Sequence, residues 1–221
     1  MKKNILIFSA LWLTLTSCSS VKIIDKPIIF DQERTDLTLE YLKEHYNLAQ
    51  DKPTITPKMV VVHWTAIPTF KKSFDAFYKS KLPDWRPDIQ NASALNVSSQ
   101  YLVDRDGTVY RLMPETFMAR HVIGLNHSAI GIENVGGTEN TPLTEAQLKA
   151  NIKLIRYLKK KFPEIEYVIG HFEYPNFEGT ELWLEKDADY RTEKTDPGKE
   201  FIQNIRQETS KFNWKPVPEI K

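Results

Sequence analysis

The fold is decided by the stretch MVVVHWT at residues 59–65 and by its counterpart YVIGHF at residues 167–172. Both stretches are rich in the β-branched and aromatic residues that favour buried strands. Helical patterns alternate with these and other strand patterns along the chain. That order predicts an α/β fold, a single domain with a central mixed β-sheet flanked by helices.

Each of the two stretches contains a histidine, His63 or His171, at the point where the strand meets a loop. Ligands collect at strand ends in open α/β sheets, so these imidazoles can meet Asp196 of the turn KTDPG at residues 194–198. Two histidines and one carboxylate suit Zn²⁺, and three protein ligands leave a fourth position open for chemistry. The residues therefore suggest a zinc site of the catalytic type.

Local patterns place the other elements. The Asp-Gly pair at residues 106–107 predicts a β-hairpin between strands at 100–104 and 108–112. A capping box starting at Thr144 predicts a helix that ends before Pro163. Further predicted helices span residues 36–47, which we expect to pack at the edge of the main body, 70–82, and 198–212.

The strand predicted at residues 128–135 has two different faces. Ile130 and Ile132 point to one side, whereas Ala129, Gly131 and Glu133 point to the other. Glu133 therefore projects over small neighbours into what can be a cleft. The alternative is that Glu133 is an internal ion-pair partner, because buried carboxylates are usually paired.

The N-terminal segment predicts export. Lys2 and Lys3 precede an apolar run that is too short to cross a bilayer, and small residues follow it. The sequence LTSC at residues 15–18 resembles a bacterial lipobox, which implies lipidation of Cys18 after removal of residues 1–17. Ser19, which is not acidic, favours a periplasmic protein anchored in the outer membrane. The alternative is an ordinary signal peptide with a chance cysteine.

Composition limits the partners. The 221 residues contain 30 basic and 29 acidic side chains, and losing Lys2 and Lys3 brings the net charge to about −1, so no nucleic-acid partner is expected. Cys18 is the single cysteine, so the mature domain has no internal disulfide.

The expected divisions of the chain are a signal peptide (1–17), a lipidated cysteine with its tether (18–26), an N-terminal helical extension (27–57), the main domain (58–212) and a tail (213–221).

Six motifs occur in a characteristic order: VVHWTA at 61–66, SQYLVDRDG at 99–107, ARH at 119–121, IGIE at 130–133, GH at 170–171 and KTDPG at 194–198. Together they resemble the zinc-dependent N-acetylmuramoyl-L-alanine amidases of the amidase type 2 and peptidoglycan-recognition-protein group. The resemblance spans about residues 58–201. One departure is Gln100, where many relatives have histidine.

The resemblance implies the site residues. His63, His171 and Asp196 would bind zinc, and Glu133 and Lys194 would form the catalytic pair. Lys194 could instead be a solvated loop charge. The implied substrate-binding residues are His121, Tyr101 and Asn126, with the alternative that His121 only holds a loop. His45 is read as a surface residue.

The implied activity is hydrolysis of the bond between N-acetylmuramic acid and L-alanine in peptidoglycan or muropeptides, during cell-wall turnover. Two alternatives stay open: a lipoprotein that binds muropeptides without cutting them, and a zinc peptidase acting within the stem peptide. The loop at residues 173–191 is the expected place for a choice between intact wall, soluble muropeptides and the 1,6-anhydro form. The oligomeric state is left open.

Overall fold

The structure, a computed structural model, describes residues 20–83, 89 and 91–219. The predicted export signal and Cys18 lie outside the described residues. A six-stranded sheet forms the centre of the protein. Its strands are β1 (Ile23–Asp25), β2 (Met59–Val62), β3 (Tyr101–Val103), β4 (Val109–Arg111), β5 (Ala129–Asn134) and β6 (Tyr167–Gly170).

The sheet is mixed, as predicted. Its strand order is β1-β4-β3-β5-β2-β6, in which only the β3–β4 pair is antiparallel. That pair is the predicted hairpin, and Gly107 takes the positive φ of 85° that its turn requires. In the centre, β2 lies between β5 and β6, with Val62 opposite both Ile132 and Gly170. The residues that follow β2 and β6 therefore emerge side by side.

The helices are α1 (Gln32–Tyr46), α2 (Phe70–Tyr78), α3 (Glu145–Lys161) and α4 (Lys199–Glu208), with 3₁₀ helices at His171–Phe177 and Ser210–Phe212. The capping box predicted for α3 is present, because the Thr144 hydroxyl accepts from the amide of Gln147 and the Gln147 side chain accepts from the amide of Thr144. The α1 helix begins four residues before its predicted start. Asp31 caps the helix by accepting from the amide of Arg34 at 2.9 Å. The predicted start was based on the spacing of apolar residues, which does not reveal this cap.

The two faces of the sheet bury different cores, because side chains alternate along each strand. Val60 and Val62 of β2 pack on α3 and α4, whereas Met59 and Val61 pack against α1. In α1, Tyr41, Leu42 and Tyr46 are almost fully buried. The predicted extension is thus part of the main core and not an addition at its edge.

Several predicted boundaries were wrong. Residues 23–25, expected within the tether, form β1 and pair with β4. The α2 helix ends at Tyr78, four residues before its predicted end at residue 82. The loop predicted from residue 173 begins as a 3₁₀ helix. Within residues 20–83, 89 and 91–219, no helix is long and apolar enough to cross a membrane.

Candidate active site

Three side chains converge at one end of the sheet. His63 follows β2, His171 follows β6, and Asp196 lies in the turn before α4. Nδ1 of His63 lies 2.9 Å from Nδ1 of His171 and 3.2 Å from Oδ2 of Asp196, and the remaining side of the triangle is 3.1 Å. The parallel pairing of β2 and β6 brings the histidines together, and the backbone amide of Phe172 fixes the turn by donating to the carbonyl oxygen of Asp196 at 3.1 Å.

This cluster fits a tetrahedral metal ion. Ligand atoms at 2.0–2.1 Å from zinc in tetrahedral geometry are separated by about 3.3 Å. The observed sides of 2.9–3.2 Å are close to that value, and all three side chains are buried. Among the described residues, these three form the one group of histidine, cysteine or acidic side chains whose ligand atoms lie close enough together to hold a metal ion. Two imidazoles and one carboxylate are a donor set that zinc accepts.

The protonation states also suit a metal ligand set. Burial opposes ionisation of Asp196, but its close contacts with His171 and His63 outweigh it and hold the pKa of the carboxyl well below its usual range. Burial, with repulsion from His63, lowers the pKa of His171 to about 4. At neutral pH the site thus contains an ionised carboxylate and a neutral His171, the forms that bind metal.

A cavity of about 510 Å³ opens over the three residues. Glu133 of β5 lines it, as the alternation of that strand predicts, and so does Lys194. Lys194 is half-buried, and its charge is one of the smaller causes, after burial, of the lowered pKa of His171. The two predicted catalytic side chains thus share one cleft with the candidate metal ligands.

Two of the predicted substrate residues line the same cavity. His121 is buried beside His63, and Asn126 lies in the wall. The amide oxygen of Asn126 accepts from the backbone amides of His121 and Val122, each at 2.8 Å, and its nitrogen donates to Tyr46 at 3.0 Å. Its polar groups are therefore occupied in holding the loop that carries His121.

The prediction for Tyr101 was wrong. Tyr101 pairs in register with Ile132, so its side chain points to the α3 face of the sheet, away from the cleft. Its hydroxyl donates to Oε1 of Glu115 at 2.6 Å, and Tyr101 does not line the cavity. At the neighbouring position, Gln100 donates to the carbonyl of Phe117 and accepts from the amide of Gly131. Gln100, the residue that departs from the family pattern, therefore holds neighbouring backbone segments of the sheet together.

The cleft wall also contains residues that were not predicted for the site, among them Trp64, Arg120 and Tyr190. Arg120 is buried and donates to the hydroxyl of Tyr190 at 3.0 Å and to the carbonyl of Ile89 at 2.8 Å. The signal for Tyr190 was its place in the loop at 173–191, which was predicted to influence substrate choice. For Arg120 the signal was its place in the ARH motif, next to His121.

Comparisons with known proteins identify the family of the chain. The family model described as N-acetylmuramoyl-L-alanine amidase matches residues 51–199, about two thirds of the chain. The 1,6-anhydro-N-acetylmuramyl-L-alanine amidase AmpD of Enterobacter cloacae is 29% identical over an alignment of 128 residues that covers 52% of this chain and 68% of AmpD.

Solved structures share the fold. The N-acetylmuramoyl-L-alanine amidase LysC from Clostridium intestinale URNW has a TM-score of 0.53 at 21% identity, covering 88% of this chain and 99% of LysC. A selenomethionine derivative of AmpD has a TM-score of 0.52 at 21% identity, covering 89% and 99% of the two chains. The family match encloses every candidate metal ligand and both predicted catalytic residues. The chain therefore belongs to the N-acetylmuramoyl-L-alanine amidase family and is an amidase-type peptidoglycan hydrolase.

Proposed function

We propose that the protein is a zinc-dependent amidase that cuts the bond between the lactyl group of N-acetylmuramic acid and the L-alanine of the stem peptide, during cell-wall turnover. One observation carries this proposal: His63, His171 and Asp196 present three ligand atoms about 3 Å apart in the cleft that also contains Glu133 and Lys194. These three residues would hold a zinc ion, which would supply the Lewis acid needed to polarise the amide carbonyl and acidify the attacking water.

Glu133 is the general base of the proposed reaction. Its carboxylate takes a proton from the water as the water oxygen attacks the carbonyl carbon. The carbon–nitrogen bond then breaks, and Glu133 returns the proton to the nitrogen of L-alanine. The position of Glu133 on the cleft face of β5 supports this role, because the small residues Ala129 and Gly131 precede it on the same face.

Lys194 stabilises the oxygen that becomes negatively charged when the carbonyl is attacked. Lys194 lines the cleft two residues before Asp196, and it acts on His171 through its charge. A fixed positive group beside a developing oxyanion commonly contributes about 3 kcal/mol to catalysis. On this segment Asp196 is assigned to the metal ligand set, and Lys194 supplies the positive side chain for the oxyanion.

The test is to identify the products by mass spectrometry. The purified full-length protein, freed of metal with a chelator, is incubated with muropeptides with and without added zinc, and the Glu133→Gln protein is treated in parallel. We expect zinc-dependent release of intact stem peptides that begin with L-alanine. Cuts within the stem would assign the protein to the peptidases, and binding without cleavage would assign it to the non-catalytic peptidoglycan-binding proteins.

The same assay addresses the form of the substrate. The relative AmpD is described as acting on the 1,6-anhydro form, and we propose soluble muropeptides of that form as the first substrates to compare. The comparison pairs one stem peptide on anhydro and on reduced N-acetylmuramic acid. Equal kcat/KM values for the two would contradict a preference for the anhydro sugar.

We also propose that Cys18 carries a lipid and anchors the mature chain in the periplasm at the outer membrane. The sequence LTSC at residues 15–18 supports this. Metabolic labelling with a fatty-acid analogue, followed by membrane fractionation, compares the wild-type protein with the Cys18→Ala variant. An equally labelled Cys18→Ala protein would exclude this anchor.

A further inference from the structure

The side chain of His121 contacts the candidate ligand His63 on the edge of its ring that faces away from the other ligands. Nδ1 of His121 lies 2.9 Å from Nε2 of His63, and the two rings are almost perpendicular, at 87°. The other nitrogen of His63, Nδ1, faces His171 and Asp196. His63 therefore stands between His121 and the point where a metal ion fits.

The direction of the hydrogen bond between the two histidines follows from a third group. Nε2 of His121 lies 3.4 Å from the carbonyl oxygen of Ala129, and a carbonyl oxygen can only accept. The hydrogen of the neutral His121 ring is therefore on Nε2, which leaves Nδ1 as an acceptor. Nε2 of His63 must then donate, so Nδ1 of His63 carries a lone pair instead of a hydrogen.

We infer that His121 is a positioning residue that holds His63 in the tautomer whose Nδ1 can bind metal. This inference rests on the proposed zinc-dependent function, because it concerns how one ligand is prepared for the ion. A hydrogen bond to the second nitrogen of a ligating histidine fixes both its tautomer and its ring orientation, and losing such a partner typically costs 10–100-fold in metal affinity.

The surroundings of His121 allow little movement of its ring. A Cβ atom at Gly131 would lie 3.0 Å from Cγ and Cδ2 of His121, so the ring packs flat against the bare backbone of β5. The backbone amide of His121 donates to Asn126, which in turn donates to Tyr46 of α1. His121 is thus fixed from the sheet and from α1, as a group that orients a neighbour must be.

The experiment compares three substitutions in the full-length protein. His121→Leu removes the acceptor, and His121→Asn keeps an acceptor oxygen near the position of Nδ1. His127→Leu is the control, because His127 contacts Tyr46 and does not line the cavity. Zinc affinity is measured by competition with a chromophoric chelator. In addition, ¹⁵N NMR of the wild-type protein reports which nitrogen of His63 carries the hydrogen and whether a ¹⁵N–¹⁵N coupling connects it to His121.

We expect the coupling between Nε2 of His63 and Nδ1 of His121 in the wild-type protein. We also expect zinc affinity 10–100-fold weaker for His121→Leu but within about threefold of wild type for His121→Asn and His127→Leu. Wild-type affinity in a folded His121→Leu protein, or a hydrogen on Nδ1 of His63, would overturn the inference and leave the amidase proposal intact. A wild-type protein that cuts muropeptides without zinc would instead refute zinc dependence, while the NMR result would still report the hydrogen bond.

Discussion

Replacing His45 by alanine removes the positive partner of a buried ion pair. His45, which the sequence suggested to be a surface residue, is 7% exposed, and the side chain of Glu185 is fully buried. Nδ1 of His45 donates to Glu185 at 2.9 Å, Nε2 donates to the carbonyl of Ala92 at 2.8 Å, and the ring stacks on Tyr41 at 4.1 Å. The pair connects α1 to the loop that contributes Tyr190 to the cleft.

The expected loss of stability follows from these contacts. Removing one partner of a buried pair commonly costs 3–5 kcal/mol, because the other charge stays buried without compensation. Glu185 keeps one hydrogen bond, from the backbone amide of Asp187 at 3.0 Å, so we expect the lower end, about 3 kcal/mol. In a protein of this size each kcal/mol corresponds to roughly 2–4 °C, so the Tm falls by about 6–12 °C.

The effect also depends on pH. Burial disfavours the charged form of His45, but the hydrogen bonds to Glu185 and Ala92 outweigh it and raise the pKa of His45. A raised pKa in the folded state gives stability that is complete below the unfolded value of about 6.5 and is lost as the pH rises through the folded value. The difference in Tm between wild type and His45→Ala is therefore largest near pH 6 and shrinks towards pH 9.

Thermal unfolding between pH 6 and pH 9 tests this prediction. The matched control is Lys71→Ala, which breaks an ion pair with Asp75 of 2.6 Å whose side chains are 85% and 53% exposed. Such an exposed helical pair contributes only about 0.3–0.5 kcal/mol. Equal losses for His45→Ala and Lys71→Ala, or a His45→Ala loss that does not change with pH, would refute the reasoning.

Four further predictions follow from the structure. Glu133→Gln should lower kcat on muropeptides by about 10²–10⁴ while zinc binding persists, and wild-type turnover would remove Glu133 from the mechanism. Lys194→Ala should lower kcat by about 10²–10³, and a change confined to KM would assign Lys194 to binding. Thr144→Ala should cost about 1 kcal/mol in urea unfolding with activity unchanged, since it removes the cap of α3. Chelation should lower the Tm and added zinc should restore it, because zinc at 100 times its Kd adds about 2.7 kcal/mol to the free energy of unfolding. A Tm that does not respond to the chelator would contradict a bound ion.

The fold was largely predictable because its strongest signals are local. The hairpin follows from one Asp-Gly turn, and the α3 helix follows from a capping box and an apolar stripe. The cleft position of Glu133 follows from the period of two along β5. The convergence of His63, His171 and Asp196 was expected from strand ends in an α/β sheet and from the order of the motifs.

The failures concern pairings between distant parts of the chain. The orientation of Tyr101 depends on its register with Ile132, and no local pattern specifies the register between β3 and β5. His45 is buried because Glu185, 140 residues further along, meets it. The β1 strand likewise exists because β4 offers it a parallel edge, so three residues within the predicted tether form a strand by pairing.

The contacts of α1 show that the site extends beyond the matched family region. That region begins at residue 51, whereas α1 ends at Tyr46. Nevertheless, Tyr41 lines the cleft, and Tyr46 accepts from Asn126, which holds the backbone of His121. His121 in turn contacts the candidate ligand His63. Because the same helix carries His45, loss of the pair with Glu185 would loosen a wall of the cleft as well as the fold, so the stability of the fold and the geometry of the candidate site depend on the same helix.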